Sequence, residues 1–159
     1  MKIFHYQMLG NNQIRLDTVN GSVWVQLTKD SGRIVTRNKV GGRIQHTGIW
    51  LGKDCSTGQV YVIHNHPFPG YAHITTSEEY AQGQQIRFKQ TACVNAPMNV
   101  IRIGLNRVLE RRKYRLLSEN CQTLVNSACN NKRYSEDVAK WGSIAFGCFV
   151  LFRALKKAS

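Results

Sequence analysis

The sequence is short of acidic residues: nine Asp and Glu stand against 22 Lys and Arg, giving a formal net charge of +13 over 159 residues. Such a surface attracts polyanions, whether nucleic acid, anionic lipid or an acidic protein, and does not choose among them. The sequence contains no basic helix interleaved with stacking aromatic residues, so no motif supports sequence-specific recognition of nucleic acid. A basic surface that only keeps the protein soluble is an equally good interpretation.

Long apolar runs are also missing. No uncharged apolar stretch reaches the roughly 18 residues of a conventional membrane span. The N-terminal MKIFHYQMLGNNQIRLD has no apolar run of signal-peptide length. We therefore expect a cytoplasmic protein. A length of 159 residues and a hydrophobic fraction of 42% predict one folded domain rather than a disordered chain.

The C-terminal segment does contain an uncharged apolar stretch, although it is shorter than a conventional membrane span. Residues 141–152 carry no charge and are flanked by Lys and Arg. As a helix they would be about 18 Å long, against roughly 30 Å for a bilayer core. A packed helix, an interfacial anchor and a short span all fit this pattern. We divide the chain into a domain over residues 1–140 and a tail over residues 141–159, and expect residues 141–157 to associate with an anionic membrane surface.

The cysteines do not follow a disulfide or zinc pattern. Their number is odd and no Cys-x-x-Cys occurs, so we expect reduced thiols in a cytosol, most of them small core residues and one of them reactive. They are Cys55, Cys93, Cys121, Cys129 and Cys148.

The hydrophobic pattern changes from strands to helices along the chain, which predicts the α+β class. Alternation predicts strands over residues 22–27, 46–52, 59–65 and 85–94, whereas residues 29–43 predict a mobile loop or hairpin and residues 67–74 a loop. Thr76 and Glu79 form a capping-box pattern before a short helix. Longer amphipathic helices are predicted over residues 96–112, with Pro97 near the start, and 118–129, with Ser118 or Asn120 as N-cap.

One cysteine has surroundings that suit a nucleophile. Cys121 falls in the first turn of a predicted helix, on its buried side, where free N–H groups and the helix dipole favour a thiolate. His46 and His64 begin and end the two strands of a predicted hairpin, so antiparallel pairing makes them neighbours. We expect one of the two to contact the thiol and the other to orient the first. His66 competes for the orienting role.

The other histidines, His5 and His73, have no comparable placement in the sequence. From spacing alone, a core cysteine and two satisfied strand-end histidines remain the commoner interpretation. The stretch HNHP at residues 64–67 resembles the metal-binding segment of the JAMM metalloprotease family. However, the serine that this family requires falls on Ile74, and no Glu lies upstream. We therefore expect no metal and no cofactor.

Several motifs in order point to one family. HTGIWLG at residues 46–52 is followed by VYVIHN, YRLLSENCQTLVN and the Ser135–Val138 element. This series resembles the lecithin:retinol acyltransferase-like family of the NlpC/P60 papain-like superfamily. There the H-box opens with the base histidine, a second histidine closes the next strand, and an Asn-Cys motif holds the nucleophile; these match His46, His64 and Asn120–Cys121. Departures are Ser22 for an Asp, and Gln122 and Thr123 after the cysteine.

The resemblance implies a circularly permuted papain-like fold with a small antiparallel sheet packed against helices. It also implies a cysteine-dependent acyltransferase or hydrolase that works through an acyl thioester, with a lipid acyl ester as the expected substrate. Two alternatives stay open. One is an amidase or peptidase of the NlpC/P60 type. The other is a non-catalytic basic module that binds nucleic acid or an anionic membrane.

Overall fold

The computed structural model describes residues 1–38, 45–90, 92–115 and 118–132, and these form a mixed α+β structure. The predicted α+β class is therefore confirmed. The strands are β1 (Ile3–Leu9), β2 (Gln13–Thr18), β3 (Gly21–Gln26), β4 (Ile34–Asn38), β5 (Gln45–Asp54), β6 (Val60–His66), β7 (Tyr71–Thr76) and β8 (Arg87–Phe88). The helices are α1 (Ser77–Ala81), α2 (Pro97–Glu110) and α3 (Cys121–Asn130).

The strands form one antiparallel sheet in which the central strand β5 pairs with β3, β4 and β6. One path runs β1-β2-β3-β5-β4-β8, and β6 pairs with β5 and carries β7 on its other side. The ten-residue β5 meets β4 near its start, where Arg37 is opposite His46, and meets β3 at its end, where Val25 is opposite Asp54. Along β6, Gly48 is opposite His64. Strand β5 thus places His46 between β4 and β6.

Helices α2 and α3 supply the other side of the main core. The amphipathic stripe predicted for α2 is buried at Ile101, Leu105 and Val108. Gly104 lies where an added Cβ would come within 3.0 Å of Ile49 and 3.1 Å of Ile63, so the helix approaches β5 and β6 closely. Because α3 also packs against β5 and β6, the start of α3 is brought to the hairpin that carries the histidines.

Several predicted elements are confirmed. The hairpin of β5 and β6 forms as expected, and α1 carries the capping box, with Thr76 accepting from the Glu79 N–H and Glu79 reaching back to Thr76. Helix α2 has Pro97 at its first turn. Asn120, one of the two predicted caps, is the N-cap of α3.

Other predictions are wrong or untested. Of the two alternatives predicted at residues 29–43, the loop is wrong, whereas the hairpin agrees with β4, which pairs antiparallel with the next strand, β5, and also with β8. The predicted loop at residues 67–74 runs into β7. Strands β1 and β2 had no sequence prediction. Among the described residues of the strand predicted over residues 85–94, only Arg87–Phe88 forms a strand. The Ser135–Val138 element and the tail over residues 141–159 lie outside the described residues. No helix within the described ranges is long and apolar enough to cross a membrane.

The expectation of five reduced cysteines is wrong for two of them. Cys93 and Cys129 form a disulfide across a sequence separation of 36 residues. Asn95 explains the approach: its N–H donates to the Cys129 carbonyl at 3.0 Å and its side-chain amide donates to the Ala128 carbonyl at 2.8 Å. The pairing depends on this tertiary contact, which Cys spacing does not encode.

Candidate active site

The two predicted histidines lie in hydrogen-bond contact. Nε2 of His46 is 2.8 Å from Nδ1 of His64. Both side chains are buried, with relative exposures of 1% and 5%. The antiparallel register of β5 and β6 produces this contact, because Gly48, two residues beyond His46 on the same face, is directly opposite His64.

The hydrogen-bond chain continues into β7. Nε2 of His64 is 3.2 Å from Oγ1 of Thr75. Each contact in the sequence His46–His64–Thr75 shares one proton, so choosing the proton position on one ring fixes the tautomer of the next. Thr75 was missed by sequence analysis. The alternation of apolar Ala72 and Ile74 with Tyr71, His73 and Thr75 is the signal that could have identified β7.

Two further histidines surround the pair. The ring centroid of His73 is 4.2 Å from that of His64, so the expectation that His73 lies apart from the site is wrong. The ring of His66, the alternative orienting residue, is 5.4 Å from His46. Its Nδ1 is engaged with its own loop, at 2.9 Å from the Phe68 carbonyl oxygen. His5 lies elsewhere, paired with Asp17 at 2.8 Å.

Tyr80 of α1 makes a hydrogen bond to the backbone of β5, the strand that carries His46. Its hydroxyl lies 2.8 Å from the carbonyl oxygen of His46 and 3.2 Å from that of Val35, so it can donate to either. Burial, with the charge of Cys121 adding to it, raises the pKa of Tyr80, and the phenol stays protonated as a donor. Gly48 makes room for this ring, since an added Cβ would lie 3.1 Å from it and 2.7 Å from Val62.

Cys121 begins α3 and is buried, with 5% exposure. The side chain of Asn120 accepts from the Thr123 N–H at 2.9 Å and fixes the first turn. The Asn65 amide of β6 donates to the Glu119 carbonyl at 3.0 Å, which ties the helix start to the strand that carries His64. The thiol lies close enough to Tyr80 for its charge to act on the phenol. The Tyr80 ring is 5.4 Å from the His46 ring and 5.2 Å from the His64 ring, so it packs beside both histidines.

The cluster predicts a pH-dependent stability. Burial, reinforced by the neighbouring His73 and His46, holds the pKa of His64 well below its usual range. The unfolded chain therefore takes up this proton at a higher pH than the folded chain, and the free energy of unfolding should fall as the pH drops below about 6.5. His64 alone can contribute at most about 1.4 kcal/mol per pH unit. Urea unfolding at pH 7, 6 and 5 measures this slope.

The variant that tests this slope is His64→Gln, which replaces the buried imidazole with a neutral amide. The window above pH 5 precedes the titration of unfolded carboxyl groups. His64→Gln should flatten the slope. Equal slopes in wild type and His64→Gln would contradict the assignment.

The described residues hold no group of three or more His, Cys, Asp or Glu side chains placed to share a metal ion. Comparison with known proteins adds no relative: no protein-family model matches the chain, and no curated protein sequence matches it.

Proposed function

We propose that the protein is a cysteine-dependent acyltransferase or hydrolase that forms an acyl thioester on Cys121. The observation that carries the proposal is the buried chain His46–His64–Thr75, with its 2.8 Å imidazole–imidazole contact, on strands against which the helix that begins with Cys121 packs. A thiol, a base and a group that orients the base are the parts that nucleophilic catalysis needs.

The hydrogen-bond chain assigns the proton positions. His46 contacts His64 through Nε2, and we assign the proton exchange with Cys121 to its other ring nitrogen, Nδ1. As a general base at Nδ1, neutral His46 carries its proton on Nε2 and donates it to Nδ1 of His64. His64 then carries its proton on Nε2 and donates to Thr75. The lowered pKa of His64 keeps that ring neutral, so it can accept from His46.

The proposed reaction has two balanced halves. The Cys121 sulfur attacks the acyl carbonyl carbon while its proton passes to His46. Collapse of the tetrahedral intermediate breaks the bond to the leaving alcohol, which takes that proton, and leaves an acyl thioester. Water, an alcohol or an amine then gives its proton to His46 and attacks the thioester, and the proton returns to the sulfur. Backbone N–H groups in the first turn of α3 would stabilise the oxyanion.

A lipid acyl ester is the proposed substrate, and a circularly permuted papain-like (NlpC/P60) arrangement the proposed fold. The resemblance of the H-box and Asn-Cys motifs to the lecithin:retinol acyltransferase-like family supports both. The net charge of +13 suits an anionic lipid surface. We further propose a cytoplasmic location with membrane association through residues 141–157. An amide substrate, as in NlpC/P60 enzymes, is the alternative. Screening of acyl donors distinguishes it from a lipid ester.

Thiol labelling tests the nucleophile without any knowledge of the substrate. We expect iodoacetamide at pH 6–7, about two units below a free thiol's pKa, to modify Cys121 faster than the exposed Cys55. His46→Ala should slow Cys121 by about tenfold or more, because it removes the proton acceptor. Peptide mass spectrometry assigns the modified residue.

His5→Ala is the matched control for His46→Ala, since His5 lies on β1 with its ring bonded to Asp17. It should leave the labelling of Cys121 unchanged. If Cys121 reacts no faster than Cys55 at pH 6–7, the motifs are packing features and the non-catalytic alternative gains.

A further inference from the structure

The loop between β6 and β7 carries an exposed apolar side chain close to the candidate base. Phe68 is 83% exposed, and a proline stands on each side of it in the sequence. Its ring centroid is 6.4 Å from that of His66, which in turn is 5.4 Å from that of His46. An exposed ring therefore lies at the edge of the candidate active site.

The N–H groups of this loop, residues 67–70, are paired within the protein. The two prolines have no N–H. The Phe68 N–H lies 3.2 Å from Nδ1 of His66, and the Gly70 N–H donates to the His66 carbonyl at 3.1 Å. Because each N–H group has a partner, the tip of the loop can enter an apolar phase without bringing an unpaired donor with it.

A basic segment runs alongside this loop. Residues 111–115, with the sequence RRKYR, follow α2 and precede the turn that leads to Cys121. The Tyr114 N–H donates to the Gly70 carbonyl at 2.6 Å, and the guanidinium carbon of Arg111 is 5.0 Å from the centroid of the Tyr71 ring. The segment and the loop are thus held together at two points and form one surface.

The positive charge of this surface is only partly compensated. All four basic side chains of the segment are exposed. Arg112 lies 2.8 Å from the carboxylate of Glu110. The carboxylates of the described residues make no ion pair with Arg111, Lys113 or Arg115. Uncompensated cations beside an exposed apolar ring are the combination that binds an anionic lipid surface.

We propose that residues 67–70 and 111–115 form a docking surface for an anionic phospholipid bilayer. Phe68 enters the bilayer interface, and Arg111, Lys113 and Arg115 contact the headgroups. A single exposed ring at a loop tip favours a bilayer over single-stranded nucleic acid, which stacks successive bases on several aromatic side chains. The role of this surface in presenting an acyl donor to Cys121 rests on the proposed function, whereas the binding itself does not.

The test is cosedimentation of the full chain with phosphatidylcholine vesicles that contain about 30% phosphatidylserine, at about 0.1 M salt. Phe68→Ser should weaken binding about tenfold, because it removes the side chain that enters the bilayer. Lys113→Glu combined with Arg115→Glu should weaken binding at least about tenfold. Phe68→Trp should retain binding, since Trp favours the membrane interface.

Two matched controls separate this surface from general stickiness and general charge. Phe4→Ser removes another exposed phenylalanine, on β1, which is 64% exposed. Lys53→Glu combined with Lys89→Glu makes the same change in net charge at two other exposed lysines. Both controls should bind vesicles as the wild type does.

Four results would overturn the proposal. One is wild-type protein that does not bind the vesicles. Another is unchanged binding in both Phe68→Ser and the Lys113→Glu, Arg115→Glu variant, which would leave the tail over residues 141–159 or the overall charge as the cause. A third is an equal loss in the matched controls. The last is a loss of binding to a single-stranded oligonucleotide but not to vesicles, which would assign the surface to nucleic acid.

Vesicle binding and thiol labelling together separate this proposal from the proposed function. If Cys121 labels rapidly at pH 6–7 and the Phe68 and charge variants bind vesicles as wild type, the nucleophile stands and the docking surface fails. If these variants lose vesicle binding while Cys121 of the wild type labels no faster than Cys55, the docking surface stands and the proposed function fails.

Discussion

Replacing Cys121 with alanine is expected to lower acyl transfer at least about a thousandfold, because no other group in the cluster can form the covalent intermediate. The probes are phosphatidylcholine vesicles and a short-chain nitrophenyl ester. Intact-mass spectrometry of the wild type should show an adduct of one acyl group, removed by neutral hydroxylamine as a thioester. Cys121→Ala should show neither adduct nor turnover.

The matched control is Cys55→Ala, since Cys55 is an exposed free cysteine in the turn between β5 and β6. It should retain full turnover and the adduct. Activity that survives in Cys121→Ala would rule out the thioester mechanism. An adduct from the nitrophenyl ester but not from vesicles would keep the nucleophile and reject the phospholipid as donor. An amide substrate would then be screened next.

Breaking the disulfide is expected to lower the free energy of unfolding by about 4 kcal/mol, because the unfolded chain regains the entropy that a closed loop of this length removes. Cys93 and Cys129, which close the loop, are separated by 36 positions in the sequence. The variant is Cys93→Ser with Cys129→Ser, and guanidinium unfolding without reductant gives the difference from wild type. Wild type with reductant should fall to the level of the double variant.

Cys55→Ala is again the control, and its stability should not change, since its thiol is exposed and unpaired with another cysteine. Thiol titration of the denatured protein with and without reductant gives an independent count, and reduction should add two thiols. If reductant changes neither the count nor the unfolding curve, the two cysteines are reduced in solution.

The histidine pair could be predicted from the sequence because its determinants are local. The alternating HTGIWLG and QVYVIHN, joined by a turn with Gly58, fix a hairpin and bring its ends together. The start of α3 is equally local, since Asn120 is a good N-cap and the apolar stripe follows it. The link between hairpin and helix came from the motif resemblance, not from any pattern in the residues.

Arg37, His73, Thr75 and Tyr80 were beyond prediction for a physical reason. The segment around Arg37 is basic and glycine-bearing, which is typical of a surface loop, yet tertiary packing buries residues 34–37 beneath neighbouring strands. His73 and Thr75 enter the site through the pairing of β6 with β7. Tyr80 was assigned to a short helix correctly, but its contact with the His46 carbonyl depends on where that helix docks.

The separation of the two halves of the site along the chain has a kinetic consequence. His46 and His64 are 18 residues apart in one hairpin, so their contact closes a short loop and is entropically accessible early in folding. The nucleophile belongs to α3, which joins β5 and β6 only after the intervening chain has been ordered. A nascent or partly folded chain would therefore contain the His46–His64 contact but a Cys121 thiol that is not yet next to it. If the proposed function holds, reactivity of the thiol would therefore appear only with the last long-range contact.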